Sequence, residues 1–360
     1  MEWYYGSPQP NGEPIIPPDT IQDEPSQPNE KSSLLPHRRR DEHPTKRSLF
    51  RRTQETVWTP KNREMSLIMI KALTLVIALT VFLSEARGLA RNNAGPTYQF
   101  CLLILSSGDS YTSTNFDING AQPSLPDNPM GNTDLGNGQT SANGPVWINY
   151  LTTKYQASPV VTYNFGVGGA VIPDNYTYQV NNLYQPKYTT DKFWTGQNTL
   201  HLSWIGINDC SFCWLQGGNF TLISDALNQY SALMETMYQT GAKNLFIVNV
   251  PPLNRSPLLL EDGSESAERY ASCVQNFNEN LASYVQTWQS NHPDATIKIY
   301  DVHTFFSKVL DNPTAYSFTD NTCQDADNCI WAGSFHILSA MHEIIAKDMK
   351  NMLSQFVYNG

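Results

Sequence analysis

Four short segments carry groups that complement one another chemically. Gly108-Asp109-Ser110-Tyr111 offers a serine hydroxyl, and Asn164-Phe-Gly-Val-Gly168-Gly169-Ala170 offers a glycine-rich backbone. Gly206-Ile-Asn208-Asp209 adds a carboxamide, and Ser334-Phe335-His336 an imidazole. A serine hydroxyl is a poor nucleophile until a neighbouring histidine removes its proton. The tetrahedral oxyanion formed by its attack on a carbonyl needs preorganised donors, which a glycine N–H and an asparagine amide supply. Taken singly, each segment has an ordinary structural explanation. Gly-Asp-Ser is turn chemistry, a glycine pair suits a tight strand-to-helix turn, and Asn-Asp suits a helix N-cap. A histidine at a helix start is commonly just a solvated residue. What those explanations leave out is the common placement of the four, each just past a strand end or at the start of the last helix.

The elements that must position them follow from the apolar pattern. Five β-rich apolar runs lie at 100–105, 160–165, 200–205, 244–250 and 297–300. Ile223, Leu227, Tyr230, Leu233 and Met237 recur at steps of three and four, one face of a helix. A similar face runs from Ala267 through Phe277, Leu281 and Val285 to Trp288, and a third helix is predicted over 337–356. Strands alternating with helices imply a parallel sheet covered on both sides. In such sheets the chemistry sits outside the carboxyl ends of the strands, where all four segments fall. Long loops at 112–144 and 172–198, rich in Asn, Gly, Pro and Thr, are natural places for substrate contacts. No internal repeat is found.

Charge and composition divide the 360 residues. Residues 1–64 hold ten basic and ten acidic side chains, dense proline and no periodicity, the signature of a disordered tail. Its basic cluster, Arg38-Arg39-Arg40 with Lys46, Arg47, Arg51 and Arg52, reads as a solvated face, with a localisation or lipid patch as the alternative. From Pro96 onward ten basic residues face 22 acidic ones, which excludes a basic nucleic-acid-binding surface. Between them, 65–87 has Lys71, an apolar run from Ala72 to Leu83 and small residues after it, the anatomy of a secretory signal peptide. The run is short for a membrane span, which needs ~20 apolar residues. Translation starting at Met65 would make residues 1–64 a gene-model extension. The other reading is a signal anchor with a cytosolic basic tail, giving a type II single-pass membrane protein. Either way the domain at 96–360 lies outside the cytosol. Sequons at Asn175, Asn219 and Asn254 and six cysteines agree with that compartment. Cys210 with Cys213 and Cys323 with Cys329 are close enough in sequence for two local disulfides, leaving Cys101 and Cys273 as a third pair or free thiols. No second Cys-x-x-Cys and no His-x-x-x-His accompanies them, so no metal is expected, and a serine–histidine reaction needs no organic cofactor.

With Ser, Gly, Asn and His in this order, the chain resembles the SGNH (GDSL-type) esterases over about residues 98–356. Gly-Asp-Ser-Tyr-Thr-Ser-Thr-Asn-Phe (108–116), Gly-Pro-Val-Trp-Ile-Asn-Tyr-Leu (144–151), Gly-Ile-Asn-Asp (206–209) and Asn249-Val-Pro-Pro-Leu-Asn-Arg-Ser-Pro257 make it similar to the fungal acetylesterases of carbohydrate-esterase family sixteen. The resemblance implies a flavodoxin-like three-layer α/β/α sandwich with a central five-stranded parallel sheet. It implies Ser110 as nucleophile, His336 as general base, and an oxyanion hole of Ser110 N–H, Gly169 (Gly168 as fallback) and Asn208. The implied substrate is an acetyl ester, such as an acetylated saccharide of the plant cell wall, with Trp147, Trp194 and Trp214 available to stack on sugars.

Two positions depart from the family pattern. Ser107 stands where phenylalanine is usual. More consequentially, the usual Asp-x-x-His has become Gly333-Ser-Phe-His336, so the aspartate that orients the imidazole is missing. Three outcomes stay open: a Ser–His dyad held by a backbone carbonyl, a substitute acid at Asp325 or Asp327, or an impaired protein. His342 lies too far into the last helix to compete as base. The expectation is a secreted carboxylic ester hydrolase acting on acetyl or other short acyl esters. The rivals are a lipid or general ester hydrolase and a catalytically impaired glycan-binding relative.

Overall fold

Five parallel strands build the centre of the computed structural model, which describes residues 103–131, 140–156, 159–190, 194–353 and 356. The tail at 1–64, the segment at 65–87 and Cys101 lie outside the described residues. The strands are β1 (Leu103–Gly108), β2 (Val161–Asn164), β3 (Thr199–Trp204), β4 (Asn244–Val248) and β5 (Thr296–Tyr300), in the order β2-β1-β3-β4-β5. This is the flavodoxin-like order, and its direction of winding reverses between β1 and β3, which opens a crevice at their carboxyl ends. Every residue of β1 and β3 is buried, as in a sheet covered on both faces.

Around the sheet lie α1 (Trp147–Thr153), α2 (Gln185–Thr190), α3 (Ile207–Leu215), α4 (Phe220–Gln239), α5 (Pro257–Glu261), α6 (Ser264–Asn291), α7 (Val302–Asp311) and α8 (Ser339–Leu353). A two-stranded antiparallel ribbon, β6 (Trp331–Ala332) and β7 (His336–Ile337), precedes α8. α1 packs on α8, and α3 and α4 pack on α6. The buried stripe of α4 is the expected one, Ile223, Leu227, Tyr230, Leu233 and Met237, with Ala226 and Met234 widening it. In α6 the buried face runs Tyr270, Cys273, Val274, Phe277, Leu281, Val285 and Trp288.

Two of the boundaries that differ from the apolar pattern have a direct cause in strand pairing. β1 continues through Ser106, Ser107 and Gly108, because pairing with β3 extends to Gly108 opposite Trp204. Ladder formation there outweighs the poor β-propensity of serine and glycine. The last helix begins at Ser339 rather than 337, because His336 and Ile337 pair with Ala332 and Trp331.

The disulfide expected between Cys210 and Cys213 is not formed. Both residues sit on α3 three positions apart, where Cβ atoms stand ~5–6 Å from each other, too far for a bond that needs about 3.8 Å. Cys213 instead bonds Cys273 and ties α3 to α6, while Cys210 stays a buried free thiol. Cys323 and Cys329 are bonded as expected. No helix among the described residues is long and apolar enough to cross a membrane.

Candidate active site

Ser110 stands two residues beyond β1, at the crevice. Gly108 has to be glycine: a Cβ there would lie 2.6 Å from Thr112 Oγ1 and would also strike the Trp204 carbonyl. That close approach lets the chain turn tightly against β3. Buried Gln179 holds the turn from behind, accepting from Gly108 N–H at 2.9 Å and donating to its carbonyl at 2.8 Å. The Ser110 carbonyl accepts from Ser141 Oγ at 2.8 Å, and the Tyr111 N–H donates to Asp109 Oδ1 at 2.9 Å.

The glycine-rich segment is tied to the same turn. Val167 N–H donates to the Gly108 carbonyl at 3.1 Å. Asn164 Nδ2 donates to the Thr112 carbonyl at 2.6 Å and to Thr114 Oγ1 at 3.0 Å, and its Oδ1 accepts from Gly166 N–H at 3.2 Å. Gly169 lies exposed with φ +75, a left-handed conformation that suits glycine. Asn208 sits two residues after Gly206, whose added Cβ would press into the Phe277 ring at 2.7 Å from Cε1. One Asn208 amide hydrogen goes to the Ala170 carbonyl at 3.0 Å, which fixes the carboxamide beside Gly169. The neighbouring Asp209 accepts from Ile172 N–H at 3.0 Å.

His336 closes the crevice from the far end of the chain. Its Nε2 lies 2.8 Å from Ser110 Oγ, the geometry of a nucleophile and its base. Burial lowers the imidazole from 6.5 to about 4, so the ring is neutral across the neutral range. No carboxylate among the described residues is hydrogen-bonded to it. Asp325, one of the two candidate substitute acids, accepts from Gly333 N–H at 2.7 Å through Oδ1. Asp327 is exposed on the same loop.

Several neighbours were given no role by the sequence. The Tyr111 hydroxyl donates to the Phe335 carbonyl at 2.6 Å, and its ring lies 5.6 Å from the His336 ring. His342 is fully buried behind Tyr111 with neither ring nitrogen hydrogen-bonded, and burial lowers it to about 3. Asp109 and Asp209 are both raised to about 7, chiefly by burial, and the Asp209 carboxylate adds to the cost of ionising Asp109. Position in the GDS turn marked Asp109 as turn chemistry and gave no hint of this pairing.

Among the other expected residues, Trp147 and Trp194 are core side chains and unavailable to a sugar. Trp214 is half-buried, with Nε1 donating to Ser266 Oγ at 2.7 Å. Asn219 is exposed as the N-cap of α4, accepting from Thr221 N–H, and Asn175 and Asn254 are half-buried. A cavity of about 280 Å3 opens beside the glycine-rich loop, lined by Ser113, Asn115, Phe116, Phe165, Val167 and Leu183 among others.

The sequence model of GDSL-like lipase/acylhydrolases matches residues 104–349. An acetylesterase of Thermothelomyces thermophilus is 30% identical over 263 residues, which cover 68% of this chain and 85% of that protein. A GDSL esterase/lipase of Arabidopsis thaliana is 27% identical over 152 residues, 35% of this chain and 42% of that protein. Among solved structures, an acetylxylan esterase from Geobacillus stearothermophilus is similar over 72% of this chain and 96% of that chain, at 14% identity and a TM-score of 0.42. The chain belongs to the GDSL-like lipase/acylhydrolase family and is a carboxylic ester hydrolase.

Proposed function

We propose that the protein is a serine acetylesterase that removes acetyl groups from acetylated saccharides such as those of plant cell walls. The observation that carries this reading is the 2.8 Å contact between Ser110 Oγ and His336 Nε2. His336, neutral above about pH 4, takes the Ser110 proton as Oγ attacks the acetyl carbonyl. The oxyanion is received by Ser110 N–H, Gly169 N–H and the second hydrogen of Asn208 Nδ2. Among the described residues none of these three has a protein partner, while Ala170 holds the other Asn208 hydrogen. Imidazolium then protonates the leaving alcohol. Water, deprotonated by the same ring, releases acetate and regenerates Ser110.

Two observations favour an acetylated saccharide over a long-chain lipid. The Thermothelomyces relative is an acetylesterase. The cavity beside the loop mixes aromatic and polar lining, Phe116 and Phe165 with Ser113 and Asn115, as a sugar requires. The disulfides Cys213–Cys273 and Cys323–Cys329 support placement outside the cytosol, with 65–87 as the export signal. Acetate release from p-nitrophenyl acetate and acetylated xylo-oligosaccharides, beside hydrolysis of a long-chain triglyceride, tests the reading. Wild type is expected to cleave the acetyl esters and Ser110→Ala to lose at least ~10³ in kcat. Equal rates in the two proteins refute the assignment, and preference for the triglyceride refutes the substrate class. The mass of the mature N-terminus separates cleavage from anchoring.

A further inference from the structure

We infer that Tyr111, together with Asp325 bracing Gly333 of the same segment, is the positioning residue that holds His336 in register with Ser110 where the family uses an aspartate. This rests on Ser110 and His336 being the reacting pair. An aspartate three positions before the histidine would steady the ring by bonding its free nitrogen. Here position 333 is glycine, and the backbone leading to His336 is held instead at four successive residues. Gly333 N–H donates to Asp325 Oδ1 at 2.7 Å. The Ser334 carbonyl accepts from Leu258 N–H at 3.0 Å. The Phe335 carbonyl accepts from the Tyr111 hydroxyl at 2.6 Å. His336 itself pairs with Ala332 in the ribbon.

Tyr111 is the member of this set that touches both halves of the reacting pair. It follows Ser110 directly in the chain. Its ring lies 5.6 Å from the imidazole at a tilt of 35° and 5.5 Å from Trp204, so it backs the histidine against the core. The ring is fully buried, and its hydroxyl has the Phe335 carbonyl as acceptor. Burial and the nearby Asp109 push the phenol well above its ordinary value, so it remains a donor at any working pH. One side chain therefore links the turn carrying the nucleophile to the strand carrying the base, over 224 residues of sequence. A displacement of about 1 Å between two such groups costs ~10²-fold in rate, which is the scale of benefit a rigid link provides. Tyr111 does not touch substrate, and its effect belongs in kcat rather than KM.

The experiment is a kinetic cycle on the full chain with p-nitrophenyl acetate. Tyr111→Phe keeps the ring and deletes the hydrogen bond, and is expected to lower kcat about ten- to a hundredfold at unchanged KM. In the Gly333→Asp background, where a carboxylate takes over part of the orienting, the same substitution is expected to cost less. An unchanged kcat, or an equal loss in both backgrounds, overturns the proposal. Should Tyr111→Phe not fold, Asp325 on the exposed loop decides. Asp325→Ala removes the acceptor for Gly333 N–H and is expected to lower kcat, whereas Asp325→Asn retains Oδ1 and keeps it. Loss in both Asp325 variants identifies a substitute acid, and loss in neither removes the brace; each overturns the inference. Full activity in Ser110→Ala would indict the reacting pair instead, leaving the cause of failure identifiable.

Discussion

Restoring an aspartate at position 333 measures what the missing charge is worth. Gly333 adopts φ +59, and a Cβ there meets nothing within 4 Å, so Gly333→Asp has room. The left-handed backbone costs a non-glycine residue ~1 kcal/mol, visible as a small fall in Tm that Gly333→Asn should share without the charge. In the native site His336 is lowered from 6.5 to about 4 by burial alone. That gap corresponds to roughly 3 kcal/mol in favour of the neutral ring. A carboxylate at hydrogen-bond distance favours imidazolium by ~1–3 pKa values. The acid limb of kcat/KM should therefore move from about pH 4 in wild type to between about pH 5 and pH 7 in Gly333→Asp. Because the imidazolium forms in the transition state, part of the same energy appears as a rise in kcat of ~10- to 100-fold at pH 8. Initial rates on p-nitrophenyl acetate from pH 3.5 to 8.5, for wild type, Gly333→Asp and Gly333→Asn, give both quantities. An acid limb that stays near pH 4 in Gly333→Asp, with kcat unchanged, would refute the reasoning. It would show that the basicity of His336 does not limit turnover.

Three further outcomes follow from the same geometry. Asn208→Ala should reduce kcat by ~10²–10³ with little change in KM, the cost of one oxyanion donor; a loss confined to KM would remove Asn208 from that role. Cys273→Ser should lower stability by about 4 kcal/mol, the chain-entropy value for a bond closing 60 residues, and peptide mapping of the wild type without reductant should recover Cys213 linked to Cys273. Cys210→Ser should leave that linkage intact, and recovery of a Cys210–Cys213 peptide would contradict the fold. The buried titrating groups act in opposite directions on stability. His336 and His342 are lowered, so their contribution is full above pH 6.5 and is lost as pH falls toward about 4 and 3. Asp109 and Asp209 are raised to about 7, so their contribution is full below pH 3.8 and is lost as pH rises through 7. Between pH 4 and 6.5 the two pairs offset each other. Relative to wild type, His342→Leu should gain stability on acidification through that window and Asp209→Asn should lose it, each by up to ~1.4 kcal/mol per pH unit. Parallel denaturation curves at pH 4.5 and 6.5 that show no such divergence would refute the assignment.

The proposed reacting pair could be named from the sequence because strand ends in a parallel sheet are few, and Ser110, Gly169, Asn208 and His336 each follow one or precede the last helix. The five strands and the faces of α4 and α6 were legible for a related reason, since an apolar period reports burial directly. What escaped notice depends on contacts between distant parts of the chain. Cys213 has its partner 60 residues away on another helix, and nearness in sequence pointed to Cys210 instead. Tyr111 reads as an aromatic after a serine, and only the meeting of β1 with β7 gives its hydroxyl a carbonyl to bind. Asp325 was singled out for its charge, but its carboxylate serves a backbone N–H. Trp147 and Trp194 carry rings that a sugar could use, yet the fold spends both on its core.

The separation of 226 positions between Ser110 and His336 also orders events in time. Synthesis runs from β1 toward α8, so the proposed nucleophile emerges first and its proposed base arrives only after all five strands have left the ribosome. On the proposed mechanism, a nascent chain ending before β7 carries Ser110 without its base and is expected to be silent toward esters however much of the sheet has formed. In refolding too, the Tyr111 hydroxyl meets the Phe335 carbonyl only when the β6–β7 ribbon docks. On that reading ester hydrolysis is a late signal of folding, one that reports the meeting of the Ser110 turn with the β6–β7 ribbon rather than assembly of the core.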